Sequence, residues 1–147
     1  MQRWQSWMTA LGLSVAASVL SAQERSAPVN YQLRCAGCHG QDGMGVPAGG
    51  IPPFPGFVDG FFTTETSRLY LMHVPGINGA SLTDGEIAAV MNYVGDRWGE
   101  PGARKPFTRE EVTALRAIPV ENVVVLRRQV TRELNAAGYQ VPDYPWP

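Results

Sequence analysis

The feature that most constrains this chain is the run Cys35-Ala-Gly-Cys38-His39, which contains both of its cysteines. The pattern C-x-x-C-H is typical of covalent haem c attachment. In that chemistry the two thiols form thioethers with the two vinyl groups of one porphyrin, and the histidine lies below the iron, where its Nε2 binds the metal. A chain of 147 residues carrying such a group is expected to build its core around the haem.

Two other interpretations of the cysteine pair are weaker. A thioredoxin-like redox pair would require a preceding strand in a β-α-β setting, whereas residues 28–34 begin with Pro28 and favour a short helix. A zinc site would require about four ligands, and His73 is the only histidine outside the motif. Tyr31 lies one helical turn before Cys35, so both side chains are expected to face the porphyrin.

The N-terminal residues are typical of a secretory signal. Arg3 provides the positive start, residues 8–20 are apolar and uncharged, and Ser21-Ala22-Gln23 supplies small residues for cleavage. We therefore expect a signal peptide over residues 1–22, export to the periplasm and no stable membrane span after cleavage, since a transmembrane helix needs about 18 apolar residues. An uncleaved anchor is the alternative. The formal net charge of −1 gives no support for a nucleic-acid partner.

From about residue 26 to residue 98 the chain resembles the class I cytochrome c family. The matching stretches are Tyr31-x-x-x-Cys35, Cys35-x-x-Cys38-His39-Gly40, Gly43-x-Gly45, Pro52-Pro-Phe-Pro-Gly56 and Leu82-Thr-Asp-x-Glu86-Ile-Ala-Ala-Val-Met-Asn-Tyr93-Val. The resemblance implies a small all-α fold wrapped around one haem and its iron, with the last helix of the domain crossing the first. It also implies that the carbonyl of Pro52 accepts a hydrogen bond from Nδ1 of the proximal histidine, which would raise the basicity of that ring. The alternative is that Pro52 only stiffens its loop.

The second axial ligand of the iron is the open question. The family usually supplies a methionine from the loop before the last helix, but residues 75–82 contain none. Met72 lies in the preceding helix, which in the family lines the distal side of the haem, and we expect it to be the ligand. The other candidates are His73, about 100° further around the same helix, Met91, Met44 and an open iron. A thioether would raise the reduction potential, a second histidine would lower it relative to a thioether, and an open site would bind small gases or peroxide.

Helical periodicity organises the rest of the cytochrome domain, which we place at residues 23–99. The pattern predicts one helix over residues 63–74. Another is predicted to begin at Thr83, with Glu86 completing a capping box, and to end near Trp98.

Residues 100–147 lie beyond the part that resembles the family. They predict two more helices, one capped by Thr108 and one over residues 120–137. We expect a helical C-terminal extension that is added outside the haem pocket. Its second helix carries a basic cluster formed by Arg127, Arg128 and Arg132. We interpret this cluster as a solvated face, with a strap against the acidic haem domain or a docking surface for a redox enzyme as the alternatives.

A single covalent haem in an exported domain predicts a carrier of single electrons and not an enzyme. The expected donor is a periplasmic dehydrogenase, and the expected acceptor is an oxidase or another cytochrome. The chain also resembles, more weakly, the small cytochromes that serve quinoprotein amine or alcohol dehydrogenases. The alternatives are a haem enzyme or gas sensor with an open iron, where His73 would be the available acid-base group, and a haem-bearing structural subunit of a larger redox complex.

Overall fold

The computed structural model describes residues 24–102 and 104–143, and the regular structure within these ranges is helical. The helices are α1 (Ala27–Arg34), α2 (Ala36–His39), α3 (Val58–Phe61), α4 (Glu65–His73), α5 (Pro75–Asn78), α6 (Asp84–Trp98), α7 (Arg109–Ala117) and α8 (Val123–Ala136). The predicted all-α fold is therefore confirmed. The predicted signal peptide lies outside the described residues, and no described helix has the length and apolar character needed to cross a membrane.

Side-chain caps set the points at which the helices begin. The Thr83 hydroxyl accepts from the Glu86 N–H at 3.2 Å, and the Glu86 carboxylate accepts from the Thr83 N–H at 3.0 Å, which confirms the predicted capping box of α6. Thr64 and Ser67 form a second box, so α4 begins slightly later than the periodicity predicts. The Asn122 side chain accepts from two backbone N–H groups of the first turn of α8, which explains why that helix starts directly after it.

Helices α1 and α6 cross beside the C-x-x-C-H motif, as the family resemblance implies. Tyr31 of α1 is 1% exposed, and its ring centroid lies 5.7 Å from that of Tyr93 and 5.1 Å from that of Trp98, both on α6. Asn30 Nδ2 also donates to Glu86 Oε1 at 3.3 Å. The capping residue of α6 therefore fixes the position of α1 as well.

Helices α7 and α8 pack against α4 and α6 and extend the same hydrophobic core. The Arg68 guanidinium of α4 donates to both carboxylate oxygens of Glu111 on α7, at 2.7 and 2.8 Å, and lies 3.6 Å from the ring centroid of Phe107. Residues of the extension that join the core are Phe107, Val112, Val130, Leu134 and Val141. The domain division at residue 100 stays a prediction, and within the described residues the two segments share one core.

Candidate haem-binding site

A mostly apolar cavity of about 370 Å³ lies between the motif helix α2, the Pro-rich loop of residues 48–56 and helices α3 to α6. Its volume is within the size range of cofactor pockets. Cys35, Cys38 and His39 all line it, so the structure brings the complete motif to one cavity. Its apolar lining includes Ile51, Pro52, Pro53, Phe54, Phe57, Val58, Phe61, Phe62, Leu71, Val74, Ile77, Val90 and Val94.

Helix α2 arranges the three motif residues for attachment and ligation. The backbone N–H groups of Cys38 and His39 both donate to the Cys35 carbonyl, at 3.1 and 2.9 Å, while Cys35 is half-buried and Cys38 is exposed. The His39 ring stacks on Phe54 with centroids 4.2 Å apart. Burial lowers the pKa of His39, which favours the neutral imidazole that a metal requires. Burial also raises the pKa of the Cys35 thiol.

The surroundings of His39 Nδ1 are those expected of a histidine whose Nε2 binds iron. Nδ1 is buried and has no partner within standard hydrogen-bond geometry. The carbonyl of Pro52 nevertheless acts on this imidazole, raising its pKa against the larger lowering by burial. With a metal on Nε2 the proton must sit on Nδ1, and a carbonyl beside it is the usual acceptor. His39 and Pro52 therefore fit the proximal side of a haem.

Gly45 permits the Pro-rich loop to approach the motif. Its φ is +61°, and a Cβ at this position would lie 2.5 Å from the Ile51 carbonyl oxygen and 2.7 Å from that of Pro52. Its N–H donates to the carbonyl of His39 at 2.9 Å. A side chain here would clash with the backbone beside the histidine, so the glycine keeps the acceptor loop in place.

Tyr31 does not line the cavity, contrary to the expectation that it faces the porphyrin. The Cys35 N–H does donate to the Tyr31 carbonyl at 2.9 Å, as the helical spacing predicts, but the side chain contacts α6 instead. Its hydroxyl donates to the Gly40 carbonyl at 2.6 Å, and burial raises its pKa to about 12. Tyr31 therefore packs where α1 crosses α6, and its hydroxyl holds the backbone of Gly40, the residue directly after the motif.

Met72, the predicted distal ligand, is fully buried but does not line the cavity. Leu71 and Val74 of the same region do. Because successive helical residues are about 100° apart, a face that presents residues 71 and 74 turns residue 72 away. In this structure Met72 is a core residue.

The remaining ligand candidates are placed differently. His73 does not line the cavity, and its Nδ1 lies 2.9 Å from the Leu69 carbonyl oxygen. Met44 is 51% exposed and is also absent from the wall. Met91, on α6, is the methionine that lines the cavity among the described residues.

The C-terminal extension contributes to the cavity, contrary to the expectation that it lies outside the pocket. Arg127 of α8 is 4% exposed and is part of the wall. Its Nη2 donates to the Pro142 carbonyl at 2.7 Å, and its guanidinium carbon lies 4.7 Å from the ring centroid of Phe61 and 5.6 Å from that of Tyr70.

The spacing of apolar residues on α8 indicates that Arg127 is buried, although its charge favours an exposed position. Val130 and Leu134, three and seven residues later, are both fully buried. This spacing places all three on one helix face, so Arg127 belongs to the apolar stripe and not to the exposed cluster.

Comparison with known proteins identifies the family. The chain is 40% identical over 105 residues to a cytochrome c-552 of Thermus thermophilus, covering 57% of this chain and 79% of the relative. It is 39% identical over 117 residues to a second cytochrome c-552, from a named strain of the same species, covering 65% of this chain and 77% of the relative. No family model and no solved structure matches. Because the identity extends over most of both relatives and the C-x-x-C-H motif lines a cavity, the chain belongs to the class I c-type cytochromes, which carry covalently bound haem c.

Proposed function

We propose that this protein is an exported carrier that passes single electrons from a periplasmic dehydrogenase to an oxidase or another cytochrome. The observation that supports this proposal is that the attachment motif lies between the protein surface and the apolar cavity. His39 lines the cavity while Cys38 is exposed, so the thioether edge of a haem held here would reach the surface. An exposed edge lets electrons enter and leave without movement of the fold.

The residues around the cavity have separable roles in this proposal. Cys35 and Cys38 hold the haem covalently, and His39 binds the iron through Nε2. The Pro52 carbonyl fixes the His39 tautomer and makes the ring a stronger donor. The apolar wall excludes water, and low polarity around the iron disfavours the extra positive charge of the ferric state, which raises the reduction potential.

We propose Met91 as the distal ligand in place of Met72. Among the described residues Met91 offers the one thioether in the cavity wall, and a thioether stabilises ferrous iron. Met91→Ala should abolish the near-infrared sulfur-to-iron band and lower the reduction potential. Met72→Ala, the matched control, should keep the band. Its free energy of unfolding should fall by about 2–5 kcal/mol, since the substitution leaves a cavity in the core. If Met72→Ala loses the band and Met91→Ala keeps it, Met72 and not Met91 is the distal ligand.

An open-iron haem enzyme or gas sensor is the second candidate. It is favoured by the part of the wall that residues 71–77 supply, which contains Leu71, Val74 and Ile77 but neither Met72 nor His73. Carbon monoxide separates the candidates. A six-coordinate carrier should bind it slowly or not at all in the ferrous state, and rapid, stoichiometric binding by the wild type would favour the open site.

The export and partner assignments are tested on the native host. The signal over residues 1–22 predicts a red periplasmic product whose N-terminus lies near Ala22 or Gln23. Purified ferric protein should be reduced by a dehydrogenase-containing periplasmic extract and reoxidised by membranes. A colourless product or a cytoplasmic location would contradict the proposal.

A further inference from the structure

Two arginines line the cavity among the described residues, Arg34 and Arg127. A haem brings two propionates, which leave the porphyrin from the edge opposite its vinyl groups. Arg34 directly precedes Cys35 and is exposed, so it adjoins the vinyl edge. Arg127 comes instead from α8 and is 4% exposed. Of the two, Arg127 is the cation that the wall offers away from the attachment motif.

The surroundings of Arg127 hold its guanidinium in a defined place. It lies over the Phe61 and Tyr70 rings, and the Pro142 carbonyl accepts one of its N–H groups at 2.7 Å. The residue also lines a second cavity of about 340 Å³, which the Pro-rich loop and Pro142 border. A guanidinium is a planar fork of N–H donors that matches a carboxylate. The wall that the two cavities share, which contains Arg127, therefore suits a carboxylate at the edge of the cofactor.

We propose that Arg127 of the C-terminal extension binds a haem propionate, an inference that rests on the proposed function. The extension then completes the haem pocket and is more than an outer layer. The positive charge of Arg127 offsets the negative charge of the propionate. This favours the ferrous iron, because an uncompensated propionate would stabilise the ferric state.

The rival role for Arg127 is anchorage of the C-terminal tail. Asp143 borders the second cavity together with Arg127, and Pro142 accepts its hydrogen bond. The two roles differ in their prediction for Asp143→Asn. If the arginine acts only by holding the tail, Asp143→Asn should resemble Arg127→Gln. If it binds a propionate, Asp143→Asn removes a negative charge near the haem and should leave the potential unchanged or raise it.

The test is the midpoint potential of the purified holoprotein. Arg127→Gln should shift the ratio of reduced to oxidised haem about threefold to tenfold toward the oxidised form, which is roughly 30–60 mV for one electron. Arg127→Lys should restore most of the potential because it keeps the charge. Arg34→Gln, the matched control in the same wall, should shift it less than Arg127→Gln. An unchanged potential in Arg127→Gln, or an equal fall in Asp143→Asn, would overturn the proposal.

A second measurement covers the case in which Arg127→Gln does not accumulate. Arg127→Lys should fold, and its propionate-bending band in the resonance Raman spectrum should move from the wild-type position, because the forked contact becomes a single one. An unmoved band would overturn the inference. Failure of the proposed function is distinct, since it would appear as wild-type protein that is colourless or not reversibly reduced.

Discussion

The Arg68–Glu111 ion pair is expected to hold the C-terminal extension on the cytochrome domain. The side chains are 6% and 20% exposed, and the guanidinium reaches both carboxylate oxygens at 2.7 and 2.8 Å. The same group donates to the carbonyls of Phe62 at 3.1 Å and Lys105 at 2.9 Å. Arg68→Met removes all of these bonds while it keeps an apolar stem of similar length.

The magnitude follows from the burial of the pair. Removing one partner of a buried ion pair costs about 3–5 kcal/mol, because the other charge is left uncompensated. Glu111 keeps some contact with water, so we expect the lower end, about 3 kcal/mol in the free energy of unfolding. At this chain length the loss corresponds to a fall in Tm on the order of 10 °C.

Thermal denaturation of the ferric holoprotein, followed by far-ultraviolet circular dichroism at pH 7, measures the effect. Lys105→Ala is the matched control: its Nζ lies 3.9 Å from the Glu111 carboxylate and its side chain is 76% exposed, so it should cost less than about 1 kcal/mol. The double variant Arg68→Met, Glu111→Leu should recover part of the loss because no charge is stranded. A Tm of Arg68→Met within about 2 °C of wild type would refute the reasoning.

Three further predictions concern single residues. Tyr31→Phe should cost about 1 kcal/mol, because the half-buried Gly40 carbonyl loses its hydrogen bond. Folding raises the Tyr31 pKa from 10.0 to about 12, so the stability that its hydroxyl contributes is present below pH 10 and lost as the pH rises through 12. In urea denaturation at increasing alkaline pH, Tyr31→Phe should therefore lose less free energy of unfolding than wild type. Arg68 lowers the pKa of Glu111. The stability from that carboxylate is therefore present above the ordinary glutamate pKa and lost as the pH falls through the lowered pKa of Glu111. In thermal denaturation at decreasing pH, the Tm of Glu111→Gln should fall less than that of wild type. Gly45→Ala should cost about 1–3 kcal/mol and reduce haem incorporation measured by absorbance, whereas Gly37→Ala, with nothing within 4 Å of the new Cβ, should change neither.

The features that could be predicted from the sequence depend on residues close together in the chain. The attachment chemistry needs only Cys35, Cys38 and His39, and the capping box needs only Thr83 and Glu86. These local requirements leave few alternatives, so the motif and the start of α6 could be predicted without the fold.

The features that were missed depend on packing between distant segments. The rotation of α4 about its own axis decides that Leu71 and not Met72 lines the cavity. Periodicity alone does not choose between two apolar neighbours on a buried helix. The burial of Arg127 depends on α8 packing against α4, far away in the sequence. The burial of Tyr31 depends in the same way on α1 crossing α6.

The mass of the intact, purified protein tests the central claim most directly. Covalent attachment through Cys35 and Cys38 predicts a denatured polypeptide heavier than the mature chain by one haem, and a colour that remains with the protein in acidified acetone. The double variant Cys35→Ala, Cys38→Ala should have the mass of the bare polypeptide. A wild-type protein from a host with haem-maturation machinery that also has the bare mass would contradict the account.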